Sequence, residues 1–200
     1  MISAVLAMVI SMLVAVVLTP MVRRFAIEVG AVDLPSARRV HAEPIPRLGG
    51  LAMVAGFFTS LLALFVLQSD VGELFFSTPM RALGMALGGL LVCGVGIIDD
   101  IRGVRAWHKL WVQLAAAVIA YVCGFRVDGI FLPFLGSFDM GVFGIVVTTL
   151  WIVAVMNAIN LIDGLDGLAG GVTFFACVTH FVVAAIGGDR TRQAPSPFGR

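Results

Sequence analysis

The sequence predicts an all-α fold, a polytopic membrane helix bundle of about six transmembrane helices with one short extracytoplasmic β-hairpin. Three observations predict it. Of 200 residues, 60% are hydrophobic and 12% charged, whereas soluble domains carry about a quarter charged residues, and the mean hydropathy is +1.06. Six apolar runs approach the ~20 residues that a helix needs to cross a bilayer. Basic residues gather in alternate loops, as topology signals do.

The first run, Met1–Val22, has no Lys or Arg ahead of its apolar core and no small-x-small cleavage site. Arg23 and Arg24 follow it, so it reads as a retained helix with its N-terminus outside. The loop behind it adds Arg38, Arg39 and Arg47 and is cytoplasmic by its charge. Gly49–Leu67 returns across the membrane to residues 68–81, where Arg81 is offset by Asp70 and Glu73. Ala82–Ile98 crosses to a second basic loop with Arg102, Arg105 and Lys109, and Leu110–Phe125 crosses back. The stretch "RVDGIFLPFLGSFDMG" mixes β-formers with Gly and Pro and predicts the hairpin. Met140–Met156 then leads to a polar cluster on the cytoplasmic side. Leu168–Ile186 is the sixth run, so residues 1–187 form one membrane unit and residues 188–200 a polar, disordered tail. Cys93, Cys123 and Cys177 share no ligand-like spacing and read as small buried residues. With one Lys and no basic, aromatic-studded groove, nothing points to nucleic acid.

Three polar clusters thus meet one membrane face. The first is "VDLPSARRVHAEPIPRLGG", with His41 and Arg47. Guanidinium groups grip phosphate oxygens in pairs, and adjacent glycines allow close backbone approach; the same arginines also suit a loop that only sets topology. The second is "GIIDDIRGVRAWHKLWVQ". Asp99 and Asp100 sit side by side at the end of an uncharged helix, where the dipole disfavours anions. A divalent cation would relieve their repulsion, and Mg²⁺ takes one or two carboxylates plus substrate phosphates. Lys109 is placed either to meet a phosphate or to anchor in the headgroup zone. The third is "NAINLIDGLDGLAGG". Asn157, Asn160, Asp163 and Asp166 recur every three residues, the asparagines in a helix end and the aspartates on a glycine-loosened connection. Ionisable groups beside spans are functional candidates. Acids, amides, arginines and one lysine at a membrane face suit phosphoryl chemistry between a soluble nucleotide and a lipid.

In these three motifs the chain resembles the polyprenyl-phosphate N-acetylhexosamine-1-phosphate transferases. This family includes undecaprenyl-phosphate N-acetylglucosamine-1-phosphate transferases and is related to phospho-N-acetylmuramoyl-pentapeptide transferase. The likeness covers about residues 20–187, and the form "PIPRLGG" is closer to the N-acetylglucosamine branch. It implies transfer of N-acetylhexosamine 1-phosphate from a UDP-sugar to undecaprenyl phosphate, releasing UMP, at the inner membrane of a bacterium, to start cell-envelope polysaccharide synthesis. By that resemblance Asp99, Asp100 and Asp163 are catalytic and bind Mg²⁺ or Mn²⁺. His41, Arg47, Lys109, Asn160, Gly164, Leu165 and Asp166 contact the substrates. The partners are UDP-N-acetylhexosamine, undecaprenyl phosphate and the bilayer, and the family admits homodimers. Family members carry ten or more spans, with a further Asp motif and a His-rich loop beyond the sixth. The chain is therefore expected to be a truncated form of such an enzyme, its activity alone in doubt. A membrane transporter or an inactive scaffold subunit is the rival expectation, although acids at one face fit poorly with the midplane sites of transporters.

Overall fold

The computed structural model describes residues 2–33, 45–132, 134, 136–163 and 168–193. It is a helical membrane protein. The described residues form seven α-helices: α1 (Ile2–Glu28), α2 (Gly50–Val66), α3 (Asp70–Phe76), α4 (Pro79–Arg102), α5 (Ala106–Val122), α6 (Gly144–Ile162) and α7 (Leu168–Gln193). Two antiparallel strand pairs join them, β1 (Val32–Asp33) with β2 (Ile45–Pro46) and β3 (Gly129–Leu132) with β4 (Gly136–Asp139). Three helical segments, Ile2–Glu28, Pro79–Arg102 and Gly141–Ile162, are long and apolar enough to cross a membrane, the last counting the 3-10 turn Gly141–Phe143 ahead of α6. Gly50–Val66 and Leu168–Val183 are apolar but shorter.

The chain divides into two compact units, Met1–Val153 and Ala154–Arg200. In the first, α1 packs chiefly on α2, and α4 on α5. Small residues make both contacts. The buried positions of α2, Ala52, Gly56, Ser60 and Leu64, recur every fourth residue on one face. A Cβ at Gly56 would stand 2.7 Å from the Ser11 carbonyl oxygen of α1. On α4, Gly84 and Gly88 face α5, and a Cβ at Gly84 would stand 2.3 Å from Cys123 Cβ. Such close backbone approach is how helices pack in lipid, where dispersion rather than water exclusion drives contact.

The expected hairpin is present. Its base is tied down by the Val127 amide, which donates to Thr148 Oγ1 on α6 at 2.9 Å. At its tip Phe134 is fully exposed. Two elements were not foreseen. The loop 68–81 contains α3, which starts where Ser69 Oγ accepts a hydrogen bond from the Gly72 amide at 3.1 Å. The Arg-rich loop is closed by the two-residue pair β1–β2, with Val32 opposite Pro46 and Asp33 opposite Ile45.

The second unit holds the end of α6 and all of α7. Here α7 runs to Gln193, past the expected end of the sixth run. One expectation about cysteine is corrected: Cys123 is buried and Cys93 half-buried, but Cys177 on α7 is exposed. Phe174, Phe175 and Val178 beside it are exposed as well. An apolar helix in lipid needs no protein around its small residues, so burial habits learned from soluble cores do not carry over.

Candidate active site

A small core underlies the first two polar clusters. Ala26, Ala31 and Leu48 are buried together, with Val22, Leu51 and Ile97 packed against them. The end of α1, the start of α2 and the last turns of α4 therefore share one apolar footing.

On that footing sits the turn 47–49. The Arg47 amide donates to the Ala31 carbonyl at 2.8 Å, and the Arg47 guanidinium pairs with Asp33 at 2.8 Å. Leu48 has φ 72°, the left-handed region that costs a branched L-residue roughly 1–2 kcal/mol. Its side chain is only 3% exposed. Its amide donates to Asp100 Oδ2 at 3.2 Å. A hydrogen bond to an ionised group contributes about 1.5–3 kcal/mol, enough to offset that cost. Gly49 is right-handed, with φ −54°, and a Cβ at Gly49 or Gly50 would meet nothing within 4 Å. The glycines thus keep the backbone at the start of α2 bare, while the left-handed residue is their neighbour.

The turn between α4 and α5 is built around Asp99. Asp99 Oδ1 accepts from the Val104 amide at 2.8 Å, and Oδ2 accepts from Lys109 Nζ at 2.5 Å. Gly103, at φ 70°, donates its amide to the Asp99 carbonyl at 2.8 Å and ends the helix. Asp99 also feels the positive charge of Arg47. The crowding of two acids at a helix C-terminus is relieved here by Lys109 and two backbone amides.

This bears on a metal ion. Among the described residues no three His, Cys, Asp or Glu side chains form a metal-binding group. Among the described residues, Asp99 has both oxygens engaged and Asp100 engages Oδ2. The donor set fits a Mg²⁺ that draws most of its ligands from water and substrate phosphates, not a cage made by the protein.

In the second unit, Asn157 and Asn160 lie in the last turns of α6, and Asp163 is the first residue past it. The Asp163 amide donates to the Ile159 carbonyl at 3.1 Å. All three side chains are exposed. The asparagines in the helix and the aspartate on the turn stand as the three-residue spacing predicts. His41, Gly164, Leu165 and Asp166 lie outside the described residues.

The structure thus brings Arg47, Asp99, Asp100 and Lys109 together within the first unit and places Asn160 and Asp163 in the second. Sequence reasoning missed Asp33 as the partner of Arg47 and missed the left-handed Leu48. The pairing of "VD" with "IP" around the loop was the only signal for the first, and the second had none.

Comparison with known proteins follows the same outline. The family model for glycosyl transferase family 4 matches residues 82–195. A probable undecaprenyl-phosphate N-acetylglucosaminyl 1-phosphate transferase of Bacillus subtilis is 39% identical over 189 residues, 94% of this chain and 50% of that protein. The decaprenyl-phosphate N-acetylglucosaminephosphotransferase of Mycolicibacterium smegmatis is 38% identical over 76% of the chain and 38% of its own length. The undecaprenyl-phosphate alpha-N-acetylglucosaminyl 1-phosphate transferase of Escherichia coli K12 is 32% identical over 82% of the chain and 41% of its own length. The chain spans half or less of each of these relatives. No solved structure matches it.

Proposed function

The chain belongs to glycosyl transferase family 4, and from that membership we propose that it serves the transfer of N-acetylhexosamine 1-phosphate from a UDP-sugar to undecaprenyl phosphate, releasing UMP. The reaction is set at the cytoplasmic face of a bacterial inner membrane. The observation that carries this reading is the Leu48–Asp100 hydrogen bond. It joins the Arg-bearing loop to the acidic pair, so that cations for phosphate and carboxylates for a proton share one patch.

In this reading an oxygen of the lipid phosphate attacks the β-phosphorus of the nucleotide sugar. A new P–O bond forms, the bond from the β-phosphorus to the UMP oxygen breaks, and UMP leaves with the electron pair. Arg47 and His41 hold phosphate oxygens. Lys109 faces the same charge from the start of α5 while orienting Asp99. One carboxylate of the Asp99–Asp100 pair accepts the last proton of the lipid phosphate. Asn160 steadies Asp163, and Gly164, Leu165 and Asp166 border the uridine. Asp100, Asp99 and Asp163 would hold Mg²⁺ or Mn²⁺, which when bound supplies charge neutralisation at the diphosphate.

The test is incorporation of labelled N-acetylglucosamine 1-phosphate into extractable lipid by membranes containing the chain, with added Mg²⁺. Label should enter the lipid, and Asp99→Asn or Asp163→Asn should abolish it. Incorporation indifferent to both substitutions would sink the assignment.

A further inference from the structure

We propose that Asp100 is a positioning residue: its carboxylate pins the Leu48 amide and so holds Arg47 at the angle from which it meets phosphate. The kinetic part of this proposal rests on the reading of Arg47 given above; the structural part does not.

Three non-glycine residues among those described have a positive φ: Leu48, Gln68 and Phe134. Gln68 ends α2 with its amide on the nearby Phe65 carbonyl, and Phe134 is an exposed hairpin tip. Leu48 differs from both. It is buried, and its amide is taken by a side chain 52 positions away. Gly49, which adopts a left-handed conformation without cost, lies next to it and is right-handed. The strain therefore falls on the residue whose amide the carboxylate holds.

The surrounding contacts leave Asp100 a specific task. The pair β1–β2 and the bond from the Arg47 amide to Ala31 fix where the turn lies. The Leu48 side chain, seated among Ala26, Ala31 and Ile97, fixes its depth. Neither grips the peptide plane between residues 47 and 48, whose amide is held by Asp100. The Asp100 hydrogen bond supplies that grip. Backbone strain held by an over-determined environment is a known way to pre-organise a site.

An acid that only moves a proton, and one that aims a neighbour, respond differently to substitution. Asn at position 100 keeps an acceptor oxygen for the Leu48 amide; Ala does not. Amide hydrogen exchange, read by mass spectrometry on the chain in nanodiscs, separates these. Asp100→Ala should speed exchange at Leu48 by about tenfold or more, while Asp100→Asn stays within about threefold of the parent. Tryptic cleavage after Arg47 should rise in Asp100→Ala and stay near the parent rate in Asp100→Asn. In the transfer assay Asp100→Asn and Asp100→Ala should both lower kcat, but only Asp100→Ala, which loses the clasp on Leu48, should also raise KM for the nucleotide sugar, since Arg47 grips phosphate in ground and transition states alike.

The proposal is overturned if Asp100→Asn loosens Leu48 as much as Asp100→Ala, or if Asp100→Ala leaves the Leu48 amide protected. It is equally overturned if Asp100→Asn and Asp100→Ala change KM alike. A chain that incorporates no label at all contradicts the proposed transfer but leaves the exchange result to decide this point.

Discussion

Two acidic clusters close two apolar helices, and they are held in different ways. At the end of α4, Asp99 and Asp100 take hydrogen bonds from Val104, Lys109 and Leu48. At the end of α6, Asp163 is exposed and tied to its own helix by its backbone amide. The first cluster is oriented by neighbouring elements; among the described residues, the second is tied to its own helix end. Preorganised groups cost no reorganisation when charge develops, so the α4 cluster is the part suited to hold fixed charge.

Substitutions can break that contrast. The largest effect is expected from Asp99→Ala and Asp163→Ala. Each should lower lipid incorporation by ~100-fold or more. Only Asp99→Ala should also lower the thermal midpoint in detergent, because it strands Lys109 and the Val104 amide at about 1–3 kcal/mol. Equal destabilisation by Asp163→Ala would erase the distinction.

Gly84→Val comes next. Its Cβ has no room beside Cys123, so the start of α4 and the end of α5 must part, at about 1–3 kcal/mol. Gly94→Ala, which meets nothing within 4 Å, should leave stability unchanged or raise it by up to about 1 kcal/mol. Unfolding curves for the two would sharpen the view that small residues set the α4–α5 geometry. Ser69→Ala should cost about 0.5–2 kcal/mol by removing the cap of α3, with faster exchange confined to residues 70–76. Asp33→Ala is the smallest: a part-exposed pair contributes under about 1 kcal/mol, so it should loosen the 47–49 turn while leaving both acidic clusters intact.

Much of this was legible in the chain itself. Apolar runs located the spans because a helix in lipid must satisfy its own backbone, and Gly103 and Gly136 sit, at positive φ, where the helix end and the hairpin require turns. The row Asn157–Asn160–Asp163 was readable because helix spacing alone places it. The rest was not local. Leu48 is left-handed only because Asp100 reaches it, and nothing in "PRLGG" announces a partner so distant in the chain. Asp33 and Arg47 meet only after β1 and β2 pair. Lys109 meets Asp99 from ten positions on, and its reach depends on how sharply Gly103 turns the chain.

The bond between Leu48 and Asp100 also sets an order of events during synthesis. The acceptor is made 52 residues after the donor, a lag of roughly 3–10 s at ordinary elongation rates. Through that interval α1 and α2 have entered the bilayer while the turn between them lacks its clasp. Ribosome-arrested chains ending before Asp100 should be cut by trypsin after Arg47, and chains extended well past it should resist. The loop written first is thus closed only when the second long segment reports that it has arrived.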